Sequence, residues 1–378
     1  MRFRPHPGYF LAGVVLAMTV LSVLGSRLVL KDLAVNFVRF SAKLGPASDF
    51  FPTAREIKAI VDAGPQDEQV VTVVVGGSSV FMGTSQSEPS IWTELLQRNL
   101  GDHFRVINLA RQSGAPNDFG NFAAEMLLKE NRPVIYVADG PIYTFTIPIQ
   151  AATYKKSAFD AWERGFGLDW PARDSLMRKA LWSKLTELRE VAWGAMLDRY
   201  LNFDDFWNYV TYEYGGTIWT QYLATESFSP FREFKDPEMP PQWYRDRGYP
   251  GGETDRRETD IVRSQIIPPD SPHWASVRSL VEDQVPPLLR EHTISVVDLN
   301  SPYYVSRLTA DEQASFLGQA EFMTQLLKSC GVHQSIVASK DFTADDYSDR
   351  VHLSVAGGAK LAERVAAEVV KMAHEFGY

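Results

Sequence analysis

Hydrophobic and polar positions fall along this chain in blocks, and one block sets the frame for the rest. Val70 to Gly83 reads VVTVVVGGSSVFMG: six apolar or β-branched residues run into two glycines, two serines and, past three bulky residues, another glycine. A short unbroken apolar run bounded by turn residues predicts a strand buried on both faces, as in a parallel α/β sheet. Gly76-Gly77 then turns the chain sharply, because glycine allows close backbone approach and positive φ. A serine just beyond lies at the carboxyl end of a strand, where α/β proteins put their ligands. That serine is a candidate nucleophile, and an ordinary Gly/Ser connection from strand to helix has the same pattern.

The pattern repeats downstream. Ser90 to Leu96 reads as a helix with Ser90 as N-cap, Phe104 to Ala110 as a second strand, Phe119 to Glu130 as a helix and Pro133 to Ala138 as a third buried strand. Strand, helix, strand, helix, strand at this spacing indicates right-handed βαβ units and a parallel sheet, hence an α/β fold. From about Ile149 to Ile267 the alternation breaks. A helical stretch over Asp174 to Met196 gives way to aromatic-rich segments and to a Pro/Gly/charge-rich region ending in ETDRRETD. This reads as an insertion, either a locally packed lid or a groove whose aromatic faces stack on sugar rings or take a lipid-like substrate. The alternation returns with a helix from Trp274 disturbed at Pro286-Pro287, a strand over Thr293–Leu299, and a long helix opened by Thr309-Ala310-Asp311-Glu312. A short strand over Gln334–Ala338 and a final helix over Ala356–Phe376 follow.

The amino terminus changes the picture. Arg2 and Arg4 precede an uncharged, mostly apolar stretch from Tyr9 to Ser26, and Arg27 follows; these 18 residues suffice for a spanning helix, which needs about 17 to 25. Val23-Leu24-Gly25 offers a small-residue cleavage site, yet the apolar run exceeds the roughly 7 to 15 residues usual in a signal peptide. The expectation is therefore an uncleaved, single-pass signal anchor, with the positive residues ahead of it keeping the tail cytoplasmic and the rest extracytoplasmic. Leu28 to about Gly45 is amphipathic and reads as a helical stalk, with another helix over Thr53–Ala63. The expected organisation is thus tail and anchor over 1–27, stalk over 28–69, first part of the α/β domain over 70–148, insertion over 149–267 and second part over 268–378.

Composition narrows the partners. The 378 residues carry a formal net charge of −9 with no clustered Lys/Arg stripe, which argues against a nucleic-acid surface. One cysteine, Cys330, forbids an internal disulfide and reads as a small packed apolar residue. The histidines His6, His103, His273, His292, His333 and His374 show no metal-ligand spacing, so neither a metal nor a cofactor is expected.

Candidate chemistry gathers before the last helix, in Asp349-Arg350-Val351-His352-Leu353-Ser354 followed by Gly357 and Leu361-Ala362. A three-residue spacing in a turn lets Asp349 fold back on His352 and hold one ring nitrogen, leaving the other as a base. That is what a weak serine nucleophile requires. Taken together with Gly77-Ser78-Ser79 through Gly83, and with Asn108-Leu109-Ala110-Arg111-Gln112-Ser113-Gly114, these segments resemble the SGNH/GDSL hydrolase superfamily.

The resemblance implies a three-layer αβα sandwich around a mostly parallel sheet, and a Ser-His-Asp triad of Ser79, His352 and Asp349. It also implies an oxyanion hole of the Ser79 and Gly114 backbone N–H groups. Aligning Gly77 and Gly83 with the family's glycines selects Ser79; aligning Gly76 instead selects Ser78. The third family block, Gly-x-Asn-Asp, is absent: Asp139-Gly140-Pro141-Ile142-Tyr143 stands there, with Asn117 a substitute donor. The membrane-anchored relatives that the chain resembles point to an ester hydrolase or acyltransferase moving acetyl or similar groups on an envelope carbohydrate. A membrane-embedded acyl-donor partner is one source of the acyl group. A non-catalytic, membrane-tethered binding or assembly protein on the same scaffold is the other reading.

Overall fold

The structure is a computed structural model and describes residues 7–27, 57, 60–62, 70–83, 90–110, 119–140, 253–268, 271–284 and 287–378. The chain divides into two compact units, one of Met1–Ala34, Ala42–Ala63 and Thr153–Arg232, the other of Val35–Ser41, Gly64–Ala152 and Glu233–Tyr378.

In the first unit, helix α1 (Pro7–Arg27) runs through the whole apolar stretch. Of its described side chains Tyr9, Phe10, Leu11, Val14, Val15, Leu16, Val20 and Val23 are exposed, and Thr19 donates its hydroxyl back to the Val15 carbonyl at 2.9 Å. Among the described residues no helix is long and apolar enough to cross a membrane, so the span expected over Tyr9–Ser26 gains no support here. Met18, Leu21, Ser22 and Leu24 to Arg27 lie outside the residues whose side chains are described. Within the helix expected over Thr53–Ala63, Ile57 and Ile60 to Asp62 are described and helical, the three apolar residues buried. The stalk over Leu28–Gly45 and most of the expected insertion lie outside the described residues.

The second unit holds a five-stranded, all-parallel sheet, so the fold is α/β as expected. Its strands are β1 (Val71–Gly76), β2 (Phe104–Asn108), β3 (Val134–Asp139), β4 (Thr293–Val297) and β5 (Gln334–Val337), in the order β2-β1-β3-β4-β5. Pairing is in parallel register throughout, with Val73 beside Val106 and Ile135, and Val137 beside Ile294. Every residue of β1, β3 and β4 is buried, which is why they read as continuous Val/Ile runs rather than alternating ones. From β1 the chain steps outward to β2 and then crosses back to β3. The direction of winding therefore reverses between β1 and β3, the kind of position beyond whose strand ends open α/β sheets bind ligands.

Short helix α2 (Ser79–Met82) follows β1, and α3 (Trp92–Leu100) leads to β2. The N-cap of α3 is Ile91, with no side-chain cap, rather than the expected Ser90. Packing decides this boundary: Ile91 and Trp92 are fully buried, and the indole N–H of Trp92 donates to the Phe81 carbonyl at 2.7 Å. Helix α4 (Phe119–Lys129) lies against β1 and β3. Helix α5 (Glu253–Ser264) forms in the charge-rich stretch that shows no helical pattern in sequence. Helix α6 (His273–Gln284) stops ahead of Pro286-Pro287.

Beyond β4, α7 (Pro302–Val305) is a single turn, and α8 (Ala310–Ser329), the expected long helix, opens on a capping box of Thr309 with Glu312 and packs on β4 and β5. Cys330 sits buried beside Met323, Leu326, Leu327 and Val332, the packed apolar role expected of it.

The last helix, α9 (Val355–Phe376), packs against α3 and against β3, β4 and β5. Ser354 caps it, accepting from the Gly357 N–H at 3.3 Å. Gly357 must be glycine, because a Cβ there would lie 2.0 Å from the Asp346 carbonyl oxygen, a backbone atom that cannot step aside. Gly318, in the middle of α8, has nothing within 4 Å of such a Cβ. Gly357→Ala is thus expected to lower the urea midpoint by the equivalent of about 1–3 kcal/mol, whereas Gly318→Ala raises it by about 0.5–1 kcal/mol. Equal shifts in the two variants would contradict the close approach.

Candidate active site

The turn after β1 is built on Gly77, whose φ of 119° lies outside the range of ordinary L-residues. A Cβ at Gly77 would also fall 2.1 Å from Oδ1 of Asp139. Asp139, the last residue of β3 and only 3% exposed, accepts the Ser78 N–H on Oδ2 at 2.9 Å. The Ser78 hydroxyl in turn accepts from the Val80 N–H at 3.3 Å, and the Ser78 carbonyl accepts from the Phe81 N–H at 3.1 Å. Ser78 therefore acts as the cap of the single turn α2, and Ser79 is that turn's first residue. The far side of the turn is pinned by Asn108 at the end of β2, whose amide donates to the Phe81 carbonyl at 3.1 Å and whose oxygen accepts from the Ala110 N–H at 3.0 Å. The Ser79 side chain lies outside those described, and Gly114 and Asn117 lie outside the described residues altogether.

The second component is the loop from Tyr347 to Leu353. Its ends are joined by an antiparallel bridge between Tyr347 and Leu353, and the Ser348 N–H donates to the His352 carbonyl at 2.8 Å. At its tip Asp349 folds back as its spacing predicts. Oδ1 accepts the Val351 and His352 N–H groups at 2.8 and 2.7 Å, and Oδ2 meets His352 Nδ1 at 2.6 Å. Nε2 is then the ring nitrogen that Asp349 does not engage, and the imidazole remains 23% exposed. Burial alone would raise the Asp349 carboxyl, but the His352 ring and the two backbone N–H groups outweigh it and hold it below its ordinary value.

Beneath the loop, Asp346 is buried and ties Lys360 of α9 (2.7 Å) to the Thr343 N–H and hydroxyl. Tyr347 is buried beside it; burial, with the Asp298 and Asp346 carboxylates adding to it, pushes its phenol well above the ordinary value.

The two components lie at one edge of the sheet. The Ser78–Ser79 turn rises from the carboxyl ends of β1 and β3. The Asp349–His352 loop is tied to the carboxyl end of β4, next to β3, where the Ser301 N–H donates to the Arg350 carbonyl at 2.8 Å. Asp298, at that same exit, holds a left-handed φ of 57° while almost fully buried, a local strain of the kind found where a chain is forced to turn at a site.

Asp139, Asn108, Asn300 and Arg350 were not marked as contributors by the sequence pattern. The one available signal was an acid ending an otherwise apolar strand, at Asp139. Among the described residues no group of three His, Cys, Asp or Glu side chains is placed to hold a metal ion. Compared with known proteins, the chain matches no family model and no curated relative.

The depressed Asp349 carboxyl has a consequence for folding. Its contribution to stability is fully present above the ordinary carboxylate value of 3.8 and is lost as pH falls through the lowered folded-state value. Asp349→Asn is therefore expected to be less stable than the parent near neutral pH, with the gap closing below about pH 4. Urea titrations at a series of pH values check this; a gap that widens in acid would contradict it.

Proposed function

We propose that the chain is a serine ester hydrolase or O-acyltransferase of the SGNH type, with Ser79 as nucleophile, His352 as general base and Asp349 as the group that orients His352. The reading rests above all on the 2.6 Å contact between Asp349 Oδ2 and His352 Nδ1 at the sheet edge that also carries the two serines. In the proposed reaction the Ser79 hydroxyl attacks an ester carbonyl while His352 takes its proton through Nε2. The oxyanion is met by the Ser79 and Gly114 backbone N–H groups. Collapse of the tetrahedral intermediate expels the alcohol, protonated by His352, and leaves an acyl-Ser79. Water then completes hydrolysis, or a sugar hydroxyl accepts the acyl group, with His352 again removing the proton.

Ser79 is favoured over Ser78 because the Ser78 hydroxyl and N–H already serve the turn, through Val80 and Asp139. The strand order and helix contacts suit a three-layer arrangement. The right-handed rule for parallel crossovers assigns α3 with α9 to one face and α4 with α8 to the other, in keeping with the packing of α9 on α3.

The proposal extends to place and substrate. Helix α1 is 21 residues of mostly apolar sequence with exposed apolar side chains. It is offered as the single-pass anchor of an extracytoplasmic domain acting on acylated envelope carbohydrate, supplied by a membrane-embedded acyl donor where the reaction is a transfer. One observation favours the non-catalytic alternative: the family's third-block asparagine, an amide donor, is absent from the segment that follows β3. Without that donor a developing oxyanion has one fewer stabilising hydrogen bond.

A fluorophosphonate probe separates the two. The enzyme reading expects labelling of the parent and of Ser78→Ala, none of Ser79→Ala, and a rate lower by on the order of 10⁴-fold in His352→Ala. No labelling of the folded parent would favour the scaffold. For the anchor, the full chain is expected to stay in the membrane pellet after alkaline extraction. A soluble mature form beginning near Ser26 would contradict it.

A further inference from the structure

We infer that Arg350, gripped by Glu258 of α5, is a positioning residue for the Asp349–His352 pair, so that a helix within the connection between β3 and β4 sets the geometry of the catalytic loop. The inference rests on the proposed reading of that pair as the acid–base half of a serine site. Arg350 stands between Asp349 and His352 in the chain and is held at three points. Its carbonyl accepts the Ser301 N–H at 2.8 Å, its Nε donates to Glu258 Oε2 at 3.0 Å, and its Nη1 donates to Asn300 Oδ1 at 3.2 Å. Glu258 and Arg350 side chains are 9% and 19% exposed, far more sheltered than a surface pair. A guanidinium splits its fork between two acceptors in fixed geometry, so the grip fixes direction as well as distance.

The acceptors are themselves held. Asn300, fully buried past the end of β4, donates its amide to Gln265 Oε1 at 3.0 Å. The Gln265 carbonyl accepts from Gln319 Nε2 at 2.9 Å, and Gln319 Oε1 accepts the Ile267 N–H at 2.8 Å. This buried polar chain runs from α8, through the residues just past α5, to the exit of β4 and on to the loop tip. Helix α5 is clamped a second time by the 3.0 Å pair of Arg307 with the buried Asp255, and a third time by Arg263 on Glu312 at 2.8 Å. The loop's internal bonds give it its shape. Arg350 ties that shape to the sheet edge, and thereby aims the imidazole that Asp349 holds.

Loss of Glu258 also carries a stability cost, because the sheltered Arg350 guanidinium then keeps only its bond to Asn300, whereas Glu258 is itself met a second time by Arg257 at 2.9 Å. The test must therefore read geometry as well as folding. The low-field ¹H resonance of the His352 Nδ1 proton reports the 2.6 Å bond directly, in full-length protein and without substrate. His352→Ala assigns it. In Glu258→Gln, which keeps the shape of the side chain, the resonance is expected to broaden or move upfield. The fluorophosphonate labelling rate is expected to fall about tenfold, as for a small misplacement of a reacting group, with a changed pH profile. Arg350→Lys, which retains a charge toward Glu258 and loses the bond to Asn300, is expected to fall between the two, and it supplies the comparison should Glu258→Gln fail to fold. A lower melting temperature with the resonance and the pH profile unchanged would reduce the pair to a fold-holding role and overturn the inference. If the parent protein is not labelled at all, the hydrolase reading fails by itself, and the Nδ1 resonance alone decides whether Arg350 positions His352.

Discussion

The hydrogen bond between Asp349 and His352 is the interaction on which the rest of this structure converges. An imidazole in a surface loop is free to turn about two side-chain torsions, and its proton can sit on either ring nitrogen. Here the carboxylate is itself fixed by two backbone N–H groups, so the bond to Nδ1 fixes the orientation of the ring and makes Nε2 the nitrogen that Asp349 does not engage. The same contacts hold the carboxyl ionised against its own burial, which keeps it able to stabilise an imidazolium. Local geometry of this kind needs no long-range assistance to form, but it needs a scaffold to point it.

The parallel sheet provides that scaffold. Its strands all deliver their carboxyl ends to one edge, and the winding reverses between β1 and β3, where the Gly77 turn leaves the sheet. Buried polar groups then convert a loose cluster of loops into a defined arrangement. Asp139 holds the first turn through Ser78, and Asn108 pins the Phe81 carbonyl. Asp346 secures the base of the second loop, and Arg350 with Asn300 secures its tip. Removing Asp139 leaves the Ser78 N–H without that acceptor, whereas the Phe81 carbonyl keeps the Trp92 indole N–H if Asn108 is lost.

The legibility of all this in sequence follows from what each segment buries. The central strands were readable because burial on both faces leaves continuous Val/Ile runs, and the start of α8 was readable because Thr309-Ala310-Asp311-Glu312 is a local helix-opening signal. Asp349 and His352 were readable because three residues are enough to bring them together. Helix α5 was not, because the face it buries includes Asp255, Glu258 and Thr259 beside Val262. A helix that packs through ion pairs carries no hydrophobic period to detect. Ser90 misled as a cap because two buried residues, Ile91 and Trp92, outweigh the modest gain of a capping hydroxyl. Arg350 and Glu258 lie 92 positions apart, a pairing that no local pattern announces.

The most direct test of the central claim is a crystal structure of the protein after reaction with a phosphonate ester. The account predicts phosphorus bonded to Ser79 Oγ, with His352 Nε2 within hydrogen-bond reach of the adduct, about 3 Å, and Asp349 still on Nδ1. An adduct on another side chain, or an imidazole turned away on the far side of the sheet edge, would contradict it.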